Sequence, residues 1–399
     1  MAMDSLSTDI IPALHRALEE LCENPPPSIP SPAATPKRAS VALVIRIQPH
    51  PSHRPENNAE ATNLSDFFDL PWVQRGDPEC LFIKRAARKG DRWTSHVALP
   101  GGKRDAEDKG DYEAAVRECL EEAGLDLDGG MAISCGKLPD RVVTTSWGTV
   151  PLMVLCPFVF LHISPVPPPL HLQPTEVASA HWVPLRTLLS PTFRTVEKCD
   201  VSDRLAKQRW GLWGRVTRWG LRLALGQMEF SAIRLWPSLS VFSSFGGDFL
   251  GETEAGGRSW GRPMLLWGLT LGVVTDFFEM LPHNQPAGGW HYPTFTGPDI
   301  RAVVWLMTRG LRKRNWENAR LRSMAQALNE AEKDIRNSMV LVDSKGSGNH
   351  ERGPRASIVG TLIEGYYDVV RTAVWVTLFG RTLVTGATIG AVWWRYGRS

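Results

Sequence analysis

Between Gly101 and Leu125 the chain reads GGKRDAEDKGDYEAAVRECLEEAGL, two glycines, a charged spacer and a short run crowded with glutamates. This stretch constrains the fold most. The spacing predicts a helix over Tyr112 to Ala123, stopped by Gly124, a residue suited to the left-handed C-cap. On such a helix Val116, Cys119, Leu120 and Ala123 fall at i, i+3, i+4 and i+7 and form the expected apolar stripe. Glu118, Glu121 and Glu122 then share the opposite face. Like charges three and four residues apart repel by a few tenths of a kcal/mol, about 0.2–0.5 per pair, so the cluster needs a reason. A solvated acidic face is one reading and a bound divalent cation is the other.

A chain of 399 residues with 43% hydrophobic content can bury a sizeable core, and its length suits one main domain with appendages. The net charge of +3 gives no argument for nucleic acid, and no nucleic-acid partner is expected. Cysteines stand at 22, 80, 119, 135, 156 and 199, without a C-x-x-C pair or a metal spacing, as in reduced thiols of an intracellular protein. The first residues lack a basic segment followed by an apolar one, so no secretory signal is expected, and they are too acidic for a transit peptide. The final residues, RYGRS, are not a peroxisomal address.

Residues 1–38 read as a disordered, proline-rich arm, opening with the pattern of a short amphipathic helix through Ile11, Leu14, Leu18 and Leu21 before PPPSIPSPAATP. The main domain is expected over 39–282. Within it SVALVIRI (40–47), CLFIKRA (80–86), AISCGKL (132–138), VPLMVLCPFVFLH (150–162), HWVPL (181–185) and MEFSAIRLW (228–236) read as strands. Strands mixed with a helix point to an α/β domain. Residues 203–226 place Leu205, Leu212, Val216, Trp219 and Leu223 beside a row of arginines, the pattern of a basic amphipathic helix that lies on anionic membrane or packs as an insertion. PMLLWGLTLGVVTDFFEMLP (263–282) is apolar, but Asp276 and Glu279 interrupt it, so a buried terminal helix is expected rather than a span.

A long polar helix is expected over 298–342 and a flexible linker over 343–357. The last segment, 358–399, is an apolar tail. Its residues 372–394 are 23 in number with one charge, Arg381, between aromatic flanks, and carry G-x-x-x-G at Gly386 and Gly390. Those features suit a transmembrane helix. A central Arg costs about 2.5–3.5 kcal/mol on insertion scales, which leaves an interfacial or partner-binding segment as the alternative.

The arrangement P-G-G, spacer, R-E-C-L-E-E-A-G-L, carried by Gly102, Arg117, Glu118, Glu121, Glu122 and Gly124, closely resembles the Nudix box of the Nudix hydrolases. Every fixed position of the R-E-U-x-E-E-x-G-U half is present, U being apolar. The spacer is one residue longer than usual, and with Gly101, Gly102, Asp105 and Asp108 it resembles the branch that cleaves coenzyme A. Upstream, RWTSHVALPGG lacks the Gly-Gln pair usual in that branch.

The resemblance implies an α/β/α sandwich around a mixed sheet, here with a helical C-terminal extension. It implies a diphosphatase that needs Mg²⁺ or Mn²⁺ and acts on a nucleoside diphosphate linked to another moiety. Coenzyme A or acyl-CoA leads; ADP-ribose, a dinucleotide, a lipid-linked diphosphate and a non-catalytic membrane-associated binding protein are the alternatives. Hard cations take carboxylate oxygens, so Glu118, Glu121 and Glu122 are the expected ligands, with Glu121 or Glu122 shared with the base for the attacking water. Arg117 is placed in the catalytic set, pairing with Asp105 or Asp108 to hold the loop. Gly101 and Gly102 let the backbone approach the metal, and Gly124 closes the helix. Arg85, His96 and Glu176 are candidates for substrate contact. A cytoplasmic location is expected, with membrane attachment through 372–394 and 203–226.

Overall fold

The computed structural model describes residues 2–33, 35–53, 55, 63–87, 95–144, 150–166, 168–200, 219–220, 222, 225–243, 264–281, 290–339 and 357–397. Most of the basic tryptophan-rich stretch at 203–226, and nearly all of the linker expected at 343–357, lie outside the described residues. The chain divides into two compact units, one of Met1–Thr144, Val150–Glu197 and Phe230–His291, the other of Thr145–Thr149, Lys198–Glu229 and Tyr292–Ser399.

The first unit opens with α1 (Ala2–Glu23), β1 (Arg38–Gln48), α2 (Leu64–Phe68), α3 (Pro71–Gln74) and β2 (Asp77–Arg85). The short strands β3 (Val97–Ala98) and β4 (Gly101–Lys103) lead into α4 (Asp111–Ala123). Then come β5 (Ala132–Lys137), β6 (Arg141–Thr144), β7 (Pro151–His162), β8 (Val177–Pro184), α5 (Leu185–Leu189) and β9 (Arg194–Cys199). The series ends with β10 (Met228–Arg234), β11 (Leu239–Phe242), β12 (Leu265–Trp267) and α6 (Gly268–Phe278).

Among the described residues nine strands form one mixed sheet along β11-β8-β2-β1-β7-β5, with β3 on β2, β4 on β1 and β6 on β7. Strand β1 pairs antiparallel with β2, Ile45 opposite Cys80, and parallel with β7, Ala42 opposite Phe158. The apolar run of β1 is buried on both faces, as befits a central strand covered from each side. Leu43, Ile45 and Ile47 face a core with Leu14, Phe67, Trp72 and Phe277; Ala42 and Val44 face one with Cys119, Ala123, Phe160 and Trp182. Helices on both faces make the α/β/α sandwich.

Three features of the helices bear on the core. The N-terminal arm is not disordered through its first half: α1 inserts Leu14, Leu18 and Leu21, all fully buried, into the core that holds Leu43 and Phe67. The stripe was visible in sequence, but its partner lies across the sheet, far along the chain. Helix α6 is buried, and Asp276 is accommodated because Arg141 of β6 donates to it through Nε at 3.1 Å and to the Gly272 carbonyl through Nη2 at 2.7 Å. The polar segment around Phe67 and Trp72 folds as α2 and α3, with both aromatics inside.

The second unit contains the first two residues of β10, Met228 and Glu229, paired with β13 (Thr294–Phe295), then α7 (Pro298–Met339), α8 (Ile358–Ile363) and α9 (Tyr366–Tyr396). Gly365, at φ +67°, makes the left-handed joint between α8 and α9. Asn315 of α7 donates to the Leu362 and Glu364 carbonyls, satisfying the end of α8. The Tyr366 hydroxyl donates to the Pro293 carbonyl at 2.7 Å. Arg381 makes a forked pair with Asp299 at 2.6 and 2.7 Å, so α9 runs antiparallel to α7 and continues past its start.

Candidate active site

Strand β4 brings the glycine pair against β1, Gly101 opposite Val41 and Gly102 opposite Ser40. Gly101 has φ +150°, and a Cβ there would collide with the backbone of Ser40 and Val41. At Gly102 a Cβ would lie 2.5 Å from the carboxylate of Glu118. Two residues without side chains thus let helix α4 lay its carboxylates directly on the strand. The Gly101 N–H donates to Glu122 Oε2 at 2.8 Å.

That contact explains a correction to the orientation of α4. Its buried residues are Ala114, Ala115, Cys119, Glu122 and Ala123, while Leu120 is 48% exposed. The helix is turned so that Glu122, only 1% exposed, points inward with the small residues. A purely apolar pattern cannot anticipate a carboxylate buried to receive a backbone N–H. The helix ends as expected: Gly124 adopts φ +69° and donates to the Leu120 carbonyl at 2.8 Å. The carbonyls of Glu122 and Ala123 are taken by the N–H groups of Gln173 and His171, at 3.3 and 2.9 Å.

Arg117 organises the polar side. Its Nε and Nη2 donate to the two oxygens of Asp108, both at 2.9 Å, and Nη2 also reaches the Lys103 carbonyl at 3.2 Å. Its Nη1 lies 3.1 Å from Glu118 Oε1 and 3.1 Å from Glu121 Oε2. Asp105 is a looser neighbour at 3.8 Å, and its N–H donates to Asp108 at 2.8 Å, closing the turn. The forked bond holds Asp108 well below the usual carboxylate range and raises Arg117 further. Glu118 moves the other way, because burial outweighs the attraction of Arg117. Burial also pushes Glu122 up to about 7, against the Gly101 N–H and with the help of nearby Glu118.

The outer candidates divide. Arg85 and Glu176 both lie within electrostatic reach of Glu122, and the Ala86 N–H donates to the Glu176 carbonyl at 2.7 Å, which brings the 173–176 loop beside the end of β2. His96 sits on the other side of β2's end, its ring 4.9 Å from that of Trp267. Residues missed in the sequence hold the first turn of α4. Arg38 and Arg104 both bind Asp111, at 2.8 and 3.3 Å, and Arg38 also meets Asp140 at 3.4 Å. Burial would raise Asp111, but Arg38 outweighs it and the carboxyl is held low. The acid at the helix start was the available signal.

The donor set fits a hard divalent cation. Glu118 and Glu122 are inward-facing carboxylates whose burial disfavours their charge until a cation compensates it, and Gly102 leaves the space beside Glu118 free of a side chain. Among the described residues no three such groups already converge as an assembled site. Glu118 and Glu121 are instead held by Arg117.

Comparison with known proteins agrees with this geometry. Residues 68–199 match the NUDIX domain model, a span that contains the glycine pair and the whole of α4. Residues 68–199 are thus a NUDIX domain, and the enzymatic class is that of hydrolases of phosphoric anhydride bonds. It is 34% identical over 317 residues to C14C4.10c of Schizosaccharomyces pombe, described as an uncharacterized protein, covering 77% of this chain and 84% of that one. Among solved structures, the NUDIX domain of Shewanella oneidensis NrtR complexed with ADP ribose is 14% identical, with 38% of this chain and 74% of that chain covered and a TM-score of 0.25. The Nudix hydrolase RenU from M. smegmatis is 16% identical, with coverage of 47% and 85% and a TM-score of 0.25.

Proposed function

We propose that this hydrolase cleaves the diphosphate bond of a nucleoside diphosphate linked to another moiety, with coenzyme A or acyl-CoA as the leading substrate. The observation that carries the reading is the packing of Glu118 and Glu122 of α4 on the Gly101–Gly102 strand, braced by the Arg117–Asp108 fork. Glu118, Glu121 and Glu122 would hold Mg²⁺ or Mn²⁺, which supplies neutralisation of the phosphate oxygens and activation of water. Glu121, whose side chain is about half exposed, is placed to take the proton from that water. Arg117 keeps Glu118 and Glu121 aimed at one space and ties them to the loop. Arg85, beside Glu122, is the nearest candidate for a phosphate contact; Glu176 adds negative charge there, which suits a further ligand or base.

Coenzyme A is favoured by the longer spacer and by Asp105 and Asp108 after the glycines. The test is cleavage by the full chain, with Mg²⁺ and with Mn²⁺, of coenzyme A, acyl-CoA, ADP-ribose, NADH and a dinucleoside polyphosphate, beside Glu122→Gln. Cleavage of coenzyme A that the variant lacks is expected. Cleavage of ADP-ribose or a dinucleotide instead would replace the substrate, and turnover unchanged in Glu122→Gln would overturn the site.

We also propose a cytoplasmic enzyme attached to a membrane by its C-terminal helix. Among the described residues Ile358–Tyr396 is the one helical stretch long and apolar enough to cross a membrane. The pairing of Arg381 with Asp299 supports the reading, since it offsets the central charge, and Thr382–Tyr396 is exposed along its whole length. Flotation of the full chain with phospholipid vesicles, lost on removal of residues 382–399, is expected; equal flotation of both would refute it.

A further inference from the structure

Helix α1 ends against strand β5 at unusually short range. Gly136 has φ +98°, and a Cβ on it would lie 2.7 Å from the Leu21 carbonyl oxygen, so only a glycine lets the last turn of α1 come this close. The approach brings two cysteines together from opposite ends of the fold. Cys22 is exposed at that last turn, with its sulfur 4.0 Å from the Ser134 carbonyl oxygen, and Cys135 is fully buried on β5. The Cys135 thiol donates to the Ile133 carbonyl at 3.5 Å, and the two thiols are near enough to shift each other's acidity. The diphosphatase chemistry uses neither thiol, and none of the six cysteines is in a disulfide.

We infer that Cys22 and Cys135 form a peroxide-sensitive dithiol that closes to an intramolecular disulfide, fastening α1 to β5. The two thiols differ as the reaction requires. Interaction with Cys135 lowers Cys22 to about 7, against burial and the charges of Glu19 and Glu23, while Cys135 is raised and keeps its proton. The exposed partner is therefore the nucleophile and the buried one the resolving thiol. The Cys22 thiolate attacks a peroxide oxygen, the O–O bond breaks, and Cys22 becomes a sulfenic acid as hydroxide leaves. The Cys135 sulfur then attacks the Cys22 sulfur, the S–O bond breaks, and the departing hydroxyl takes the Cys135 proton as water. Two thiols lose two electrons and one hydrogen peroxide becomes two waters. The other buried thiols, Cys80, Cys119 and Cys156, are all raised by burial, which disfavours their thiolates and makes the oxidation selective.

The consequence concerns α1. Once closed, the bond joins residues far apart in sequence, so it restricts the unfolded chain strongly and holds the N-terminal helix on its core. The test treats the reduced full chain with hydrogen peroxide, alkylates what remains, and digests it without reductant for mass spectrometry. A Cys22 peptide linked to a Cys135 peptide and released by reductant is expected, with a melting temperature several degrees above that of the reduced chain. Cys22→Ser, at an exposed position that folding tolerates, should melt like the reduced wild type and show neither the link nor the rise. Cys22 over-oxidised beside a free Cys135, or linked to another chain or another cysteine, would overturn the inference.

Discussion

The two glycines of β4 should fail in different ways when given a methyl group, and the contrast tests the whole reading of the site. In Gly102→Ala the new Cβ would stand 2.5 Å from Cδ and both oxygens of Glu118, about 1 Å inside an ordinary contact. Those atoms are the free end of a flexible side chain, so the clash is relieved by swinging the carboxylate aside. The stability cost should fall at the low end of overpacking, about 1 kcal/mol. The functional cost is larger, because a displacement of about 1 Å in a reacting constellation can lower the rate about 100-fold, or about 2.7 kcal/mol of transition-state stabilisation. In Gly101→Ala the methyl meets the Ser40 carbonyl, Val41 Cα at 2.6 Å and Val41 Cγ1 at 2.8 Å, at a backbone angle of +150°. Nothing there can swing aside, so β4 must separate from β1, and a loss of about 3 kcal/mol or more is expected, the sum of strain and overpacking. Thermal melts of the two variants, kcat/KM on the cleaved substrate and Mn²⁺ affinity by electron paramagnetic resonance give the comparison. Full activity and full Mn²⁺ affinity in Gly102→Ala, or a melt lower than that of Gly101→Ala, would show that Glu118 does not work where it is placed.

Three further outcomes are expected. Arg117→Lys keeps the charge but loses the fork on Asp108, and activity should fall about 10–100-fold with little change in melting, as for other supports of ligating groups; unchanged kcat/KM would deny Arg117 that role. His162 is buried and held neutral, lowered to about 4 by burial and by Arg46. Its folded value lies below its unfolded one near 6.5, so its contribution is present above pH 6.5 and is lost as pH falls toward 4. Asp77, raised to about 6 by burial, and Glu122 act in the opposite sense, so the diagnostic quantity is wild type minus His162→Gln in urea unfolding. That difference should decline by about 2 kcal/mol between pH 7.5 and 5, and a flat difference would refute the assignment. Leu18→Ala, at a fully buried position of α1, should cost about 2–5 kcal/mol in the same unfolding measurement; a loss below about 1 kcal/mol would mean that α1 is not part of the core.

Much of the fold was legible because the strongest signals were local. The uninterrupted apolar run of β1, the spacing of α4 and the cap at Gly124 each depend on near neighbours, and each stands where the sequence placed it. What was missed depends on distant partners or on very short segments. Strands β6, β9, β11, β12 and β13 have between two and six residues, too few for a period to show. The proline-rich composition after α1 suggested an arm, yet the Ile29 N–H donates to Asp140 at 2.9 Å and Arg38 holds the Ile29 carbonyl at 2.8 Å. Asp140 is 111 residues from Ile29 along the chain, and no local pattern announces such a contact.

The site itself divides along the same line. The residue types and their spacing named Glu118, Glu121, Glu122 and Arg117 from the sequence, but the helix rotation that gives each glutamate its own environment was not there to be read. An amphipathic pattern sorts apolar from polar and would put all three glutamates in water. In the fold they are graded: Glu122 at 1% exposure against the Gly101 N–H, Glu118 with a side chain at 13% beside Gly102, and Glu121 at 51% under Arg117. The gradation follows from the two glycines, because only a strand without side chains lets a helix press its carboxylates onto the backbone. A cation recruited to such a set compensates the charges that burial disfavours most, so the cost of burying Glu118 and Glu122 becomes affinity for the ion rather than a loss of fold.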